Sequence, residues 1–85
     1  MKTIHDNRYG RVIERLKAAR HACGLTQEDV ASRLGWHRTV LSNIETRERR
    51  ADVLETYLLC RLYGLHLADL EPLLAGEGLN HAAEG

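Results

Sequence analysis

Between Gly24 and Glu45 the chain reads GLTQEDVASRLGWHRTVLSNIE, and this stretch constrains the fold more than any other. Two apolar sets repeat in it at helical spacing: Val30, Ala31 and Leu34, then Val40, Leu41 and Ile44. Thr26 precedes the first set with Asp29 three residues on. That is capping-box spacing, in which a hydroxyl and a carboxylate each take a backbone N–H left unpaired at a helix start. Gly35 follows Leu34, where a chain leaving a helix through positive φ favours a residue without Cβ. The pattern predicts two short helices joined by a tight turn, an arrangement that seats the second helix in the DNA major groove. Between the apolar anchors of that second helix lie Arg38, Thr39, Ser42 and Asn43. Such short or forked polar side chains reach base edges and phosphates.

The same signals extend along the chain. A first helix is expected over residues 7–22, capped by Asp6 or Asn7, with Val12, Ile13, Leu16 and Ala19 facing inward. The second and third cover 27–34 and 38–46. A fourth begins after Asp52, with Glu55 three positions on, and ends at Tyr63 before Gly64. A short fifth falls around 67–70, and Pro72 biases Glu71 away from helical geometry. With no strand signal and no internal repeat, the fold class is all-α with five helices. Eighty-five residues build one small core. Residues 7–75 are expected to form the domain, and 1–6 and 76–85 to be flexible termini.

Lysine plus arginine and aspartate plus glutamate balance at 12 each, but they are segregated. Residues 1–50 hold 11 basic against 6 acidic side chains, and residues 51–85 hold one basic against six acidic. A basic side for phosphate and an acidic side turned away from it follow. Arg47, Arg49 and Arg50 cluster after the third helix, where they can clamp the sugar-phosphate backbone. Cys23 and Cys60 have no metal or disulfide-framework spacing and read as reduced, partly buried thiols. The five histidines (His5, His21, His37, His66, His81) show no ligand spacing beyond His21 beside Cys23, so neither a metal nor a cofactor is expected. An enzyme is not expected either, because no nucleophile has a base beside it and no glycine-rich phosphate loop is present. The polar N-terminus and the lack of a run of ~18 apolar residues point to a cytoplasmic protein, nucleoid-associated when bound to DNA, with no membrane contact.

The stretch from Gly24 resembles the helix-turn-helix of the phage repressor and Cro family, the Xre-like regulators. Gly-Leu-Thr-Gln-Glu, Val30-Ala31, Leu34-Gly35, Leu41-Ser42 and Ile44-Glu45 stand in the family's order. Arg20 lies upstream, with Arg49-Arg50-Ala51-Asp52-Val53-Leu54-Glu55 and Tyr63-Gly64-Leu65 downstream. The similarity covers about Val12 to Leu70 and implies a lambda-repressor-like bundle. It implies that Arg38, Thr39 and Asn43, with Ser42, read bases. Gln27, His37, Arg47, Arg49 and Arg50 would then hold the DNA backbone, while Arg20 and Glu45 would form a structural pair. It also implies double-stranded DNA as partner and a homodimer on a palindromic operator, as a repressor. Leucines beyond what the core needs (Leu58, Leu62, Leu73, Leu74, with Leu79) suggest the subunit interface. The alternative is a protein-interaction module or antitoxin-type regulator that engages a protein partner through the leucine-rich C-terminal half. Two positions depart from the family pattern. His37, a weaker cap, stands where Ser or Thr is usual. Arg47 replaces the glycine usual after the third helix, at a steric cost if φ is positive there. Cys60 falls where the family places a small buried alanine.

Overall fold

The structure is a computed structural model and describes residues 7–75. Leu79, His5, His81 and both expected flexible termini lie outside the described residues. Four α-helices follow one another: α1 at Arg8–Ala22, α2 at Gln27–Leu34, α3 at Arg38–Glu45 and α4 at Val53–Tyr63. A 3-10 helix at Leu67–Leu70 then runs into α-helical residues 71–75. No strand occurs among the described residues.

Local chemistry sets the boundaries. Thr26 Oγ1 accepts the Asp29 N–H at 3.0 Å, and Asp29 Oδ2 accepts the Thr26 N–H at 2.9 Å. Asp52 and Glu55 repeat this reciprocal cap on α4 at 2.7 and 3.0 Å. α2 exits through Gly35 at φ 73° and α4 through Gly64 at φ 79°, both left-handed. Three details differ from the sequence expectation. The Asn7 side chain makes no capping bond although Asn7 is the cap of α1. α3 ends at Glu45, with Thr46 as its cap. Glu71 is helical (φ −59°, ψ −44°) despite preceding Pro72. There the proline opens a new helical turn, where the missing N–H has no partner to lose.

Ile13, Leu16, Val30, Leu41, Ile44, Leu59, Cys60 and Leu70 are buried together and form one core shared by all the helices. Cys60 acts as a small hydrophobe, and burial pushes its thiol pKa up. Cys23 is exposed, not partly buried, because it caps the last turn of α1 outside the core; its thiol donates to the Tyr63 carbonyl at 3.6 Å.

The turn leaving α3 answers the question posed by Arg47. Its φ is 68°, so the chain keeps the left-handed exit without glycine. A Cβ in this region costs about 1–2 kcal/mol, partly offset by the greater unfolded-state freedom of glycine. Arg47→Gly should therefore raise stability by about 0.5–1 kcal/mol, read as a higher urea midpoint at unchanged m-value. An unchanged or lowered midpoint would mean that side-chain contacts of Arg47 outweigh the strain.

Two side chains tie the following loop down. The Tyr9 hydroxyl on α1 accepts the Ala51 N–H at 2.9 Å, and the Arg50 guanidinium lies 4.5 Å from the Tyr9 ring centroid. Arg49 donates to both Glu55 oxygens at 3.0 and 2.7 Å. That pairing holds the Glu55 carboxyl below its ordinary pKa. A carboxylate depressed in the folded state stabilises above its unfolded pKa, about 4.3, and loses that contribution as pH falls through the lower folded value. Stability should thus decline with acidification below about pH 4.3, and Glu55→Gln should flatten that decline in urea titrations at stepped pH.

Candidate nucleic-acid interface

α2 and α3 pack on each other across the Gly35 turn, and a buried ionic node fixes their angle to α1. Arg20 is 7% and Glu45 8% exposed. Arg20 Nε donates to Glu45 Oε2 at 2.8 Å and Nη2 to Oε1 at 3.0 Å, a fork-on-carboxylate geometry. Arg20 Nη1 donates to the Leu25 carbonyl at 2.8 Å, and Gln27 Nε2 donates to Glu45 Oε1 at 2.9 Å. Arg20 near the end of α1 and Gln27, the first residue of α2, therefore meet at the carboxylate of Glu45, the last residue of α3, while Arg20 also holds the loop between α1 and α2 through Leu25. Hydrogen bonding to Glu45 raises the Arg20 pKa against the opposing effect of burial. Tyr63, its phenol pKa likewise raised by burial and by Glu45, keeps a buried hydroxyl with no hydrogen-bond partner among the described residues.

On this support α3 buries Leu41 and Ile44 and turns its polar side outward. His37, Arg38 and Thr39 at its start are exposed, while Ser42 and Asn43 are half-buried one turn on. No ion pair engages Arg38 among the described residues. His37 occupies the cap position without a side-chain capping bond, which leaves the first N–H groups of α3 without that acceptor. Arg38 shares a shallow cleft with Arg20, His21 and residues 24–28 at the start of α2. The Asn43 carbonyl accepts the Thr46 hydroxyl at 3.2 Å and the Arg49 N–H at 3.2 Å, so the loop folds back on α3.

The basic cluster after α3 is exposed, but each member has an intramolecular neighbour. Arg49 is paired to Glu55, Arg50 stacks on Tyr9, and the Arg47 guanidinium lies against Gly10 of α1. Tyr9 and Glu55 thus set this loop's shape, and sequence reasoning did not single out either for that role. The Asp52–Glu55 cap was readable, but Glu55's second partner is visible only in three dimensions.

The four leucines expected at a subunit interface separate. Leu62 and Leu73 are half-buried against the core, Leu58 is half-buried, and Leu74 is exposed. Besides Leu74, the exposed large apolar side chains among the described residues are Val53 (80%), Leu54 (62%), Leu67 and Tyr57. No group of three or more metal-ligating side chains occurs among the described residues.

A family model described as "Helix-turn-helix domain" matches residues 14–73, most of the chain and all of α2, α3 and α4. A solved structure, an XRE-family like protein from Pseudomonas syringae pv. tomato str. DC3000, is 41% identical with a TM-score of 0.77, covering 87% of this chain and 92% of that one. The chain belongs to the Xre-like helix-turn-helix family. None of the curated proteins matches it. Membership makes the protein a DNA-binding regulator, in a family whose fold is generally not enzymatic. Among the described residues no helix is long and apolar enough to cross a membrane. α3 is the second helix of this helix-turn-helix, and the Arg20–Glu45–Gln27 node is what orients it against α1.

Proposed function

We propose that the protein is a sequence-specific transcriptional repressor that occupies a palindromic operator as a homodimer in the cytoplasm, with residues 7–75 as the binding domain. The observation that carries this reading is the exposed pair Arg38 and Thr39 at the start of α3, on a helix whose other side is locked by Arg20 and Glu45. Arg38 pairs with a guanine edge and Asn43 with an adenine edge, Thr39 and Ser42 adding shorter contacts. Gln27 and His37 hold phosphates at the helix starts, and Arg47, Arg49 and Arg50 hold the backbone past α3. The dimer forms through Leu58 and Leu74 together with Val53, Leu54, Tyr57 and Leu67, since Leu62 and Leu73 serve the core.

That same exposed apolar set supports a second reading, an antitoxin-type regulator that also binds a protein partner. Selection of bound duplexes from a random pool decides between them. The repressor reading expects an enriched palindrome with half-sites about 10 bp apart, centre to centre. A pool without enrichment, beside a stoichiometric protein partner retained from the native host, would transfer the assignment to the interaction module.

A further inference from the structure

Arg47 does more than leave α3 through a strained turn. Its guanidinium folds back across α1 and rests against Gly10, where any Cβ would collide with it. Gly10 is the third residue of α1, and its hydrogen side chain is what leaves space for this cation. Arg11 and Arg15 are exposed and stand one helical turn apart on α1. They line the same open cleft as Arg47, with Asn7, Gly10, Glu14 and Leu73 completing its walls. The single acid, Glu14, lies 3.8 Å from Lys17. Three guanidinium groups therefore border one concavity against one carboxylate. Like charges at i, i+4 repel, and an anion placed between them removes that cost.

We infer that this cleft is a phosphate-binding site formed by Arg11, Arg15 and Arg47, distinct from the cleft at the start of α2. The inference rests on the DNA-binding reading for its favoured source of phosphate, the backbone of the duplex. α3 has eight residues, a length of roughly 12 Å at 1.5 Å per residue. The major groove is about 12 Å wide, so a helix of this length can bring its two ends to opposite phosphate walls. Arg38, the first residue of α3, lines the α2 cleft, and Arg47, two residues past the end of α3, lines the other. The other source of the same chemistry is free inorganic phosphate or a nucleotide phosphate. Forked guanidinium donors suit both, because they bind phosphate oxygens in pairs.

The test uses the full chain, an Arg11→Ala/Arg15→Ala variant, an Arg11→Lys/Arg15→Lys variant and, as control, Arg33→Ala. Arg33 is exposed near the end of α2, outside the cleft. On a mixed-sequence duplex, the slope of log K against log salt should fall in magnitude by about 1–2 in the double alanine variant. It should hold in the double lysine variant and in Arg33→Ala. In nuclear magnetic resonance titrations with inorganic phosphate, the Nε–Hε signals of Arg11, Arg15 and Arg47 should shift saturably, and Arg47's shift should vanish in the alanine variant. A changed slope with or without the phosphate shift supports the site with DNA as source. A saturable phosphate shift with an unchanged slope supports the site with a free anion as source. If neither responds, or if Arg33→Ala lowers the slope as much, the inference is overturned. Wild-type protein that retains no duplex at all would sink the DNA reading instead, and the phosphate titration alone would then decide the cleft.

Discussion

Glu45→Ala is expected to cost about 3–5 kcal/mol of folding stability, because it leaves the Arg20 guanidinium buried without its counter-charge. The carboxylate accepts three hydrogen bonds, two from Arg20 and one from Gln27, and all three donors lose their acceptor together. A domain of this size holds only about 4–13 kcal/mol in total, so the variant should be largely destabilised at 37 °C. At 4–8 °C per kcal/mol, the thermal midpoint should drop by roughly 12 °C or more. Equilibrium urea unfolding measures the loss. A cost under about 1 kcal/mol would show that water reaches Arg20 readily and that the node is not a structural one. The paired change Arg20→Met with Glu45→Leu removes both charges and should recover much of the loss, since apolar replacement of a whole buried pair is often close to neutral. DNA binding need not return with it, because Gln27 would still lack its acceptor.

The second large effect falls on recognition. Arg38→Ala combined with Asn43→Ala should remove two base contacts worth about 1–3 kcal/mol each, a loss of roughly 30-fold to 20,000-fold in preference for the selected operator over unrelated duplex. Binding to unrelated sequence should weaken far less, since Asn43 carries no charge and Arg38 contributes one. Folding stability should change little: Arg38 is exposed, and the bonds recorded for Asn43 use its main-chain carbonyl. Competition gel shifts with operator and scrambled duplexes give the ratio directly. Equal weakening on both duplexes would reassign the two side chains to phosphate and leave the reading face elsewhere on α3.

Much of the bundle was legible before any coordinates because its punctuation is local. Thr26 with Asp29 and Asp52 with Glu55 signal helix starts through bonds that span three residues, and Gly35 and Gly64 signal exits through their own φ. The Arg20–Glu45 pair, 25 residues apart, was legible through the family resemblance, but the other features that depend on distant partners were not. Arg47's φ is imposed by the path from α3 to α4, so its residue type gave no answer. Pro72 biases the residue before it, yet Glu71 stays helical because a new turn begins there. α4 carries leucines around much of its circumference, so spacing alone could not phase it. Leu62 went to the core side, while Val53 and Leu54 stayed in solvent. At the interface, residue type identified polar side chains that α3 holds outward. It gave no hint that Arg49, Arg50 and Arg47 each lean on Glu55, Tyr9 and Gly10.

The residues on the outer side of α3 alternate with those that hold it, and this division has an evolutionary consequence. Among the described residues Arg38 and Thr39 make no side-chain hydrogen bond or ion pair, whereas Leu41, Ile44 and Glu45 carry the attachment. On the reading proposed above, the DNA target can therefore change by exchange of solvent-side residues one at a time, each intermediate still folding. The outward positions can thus vary without loosening the attachment that Leu41, Ile44 and Glu45 provide.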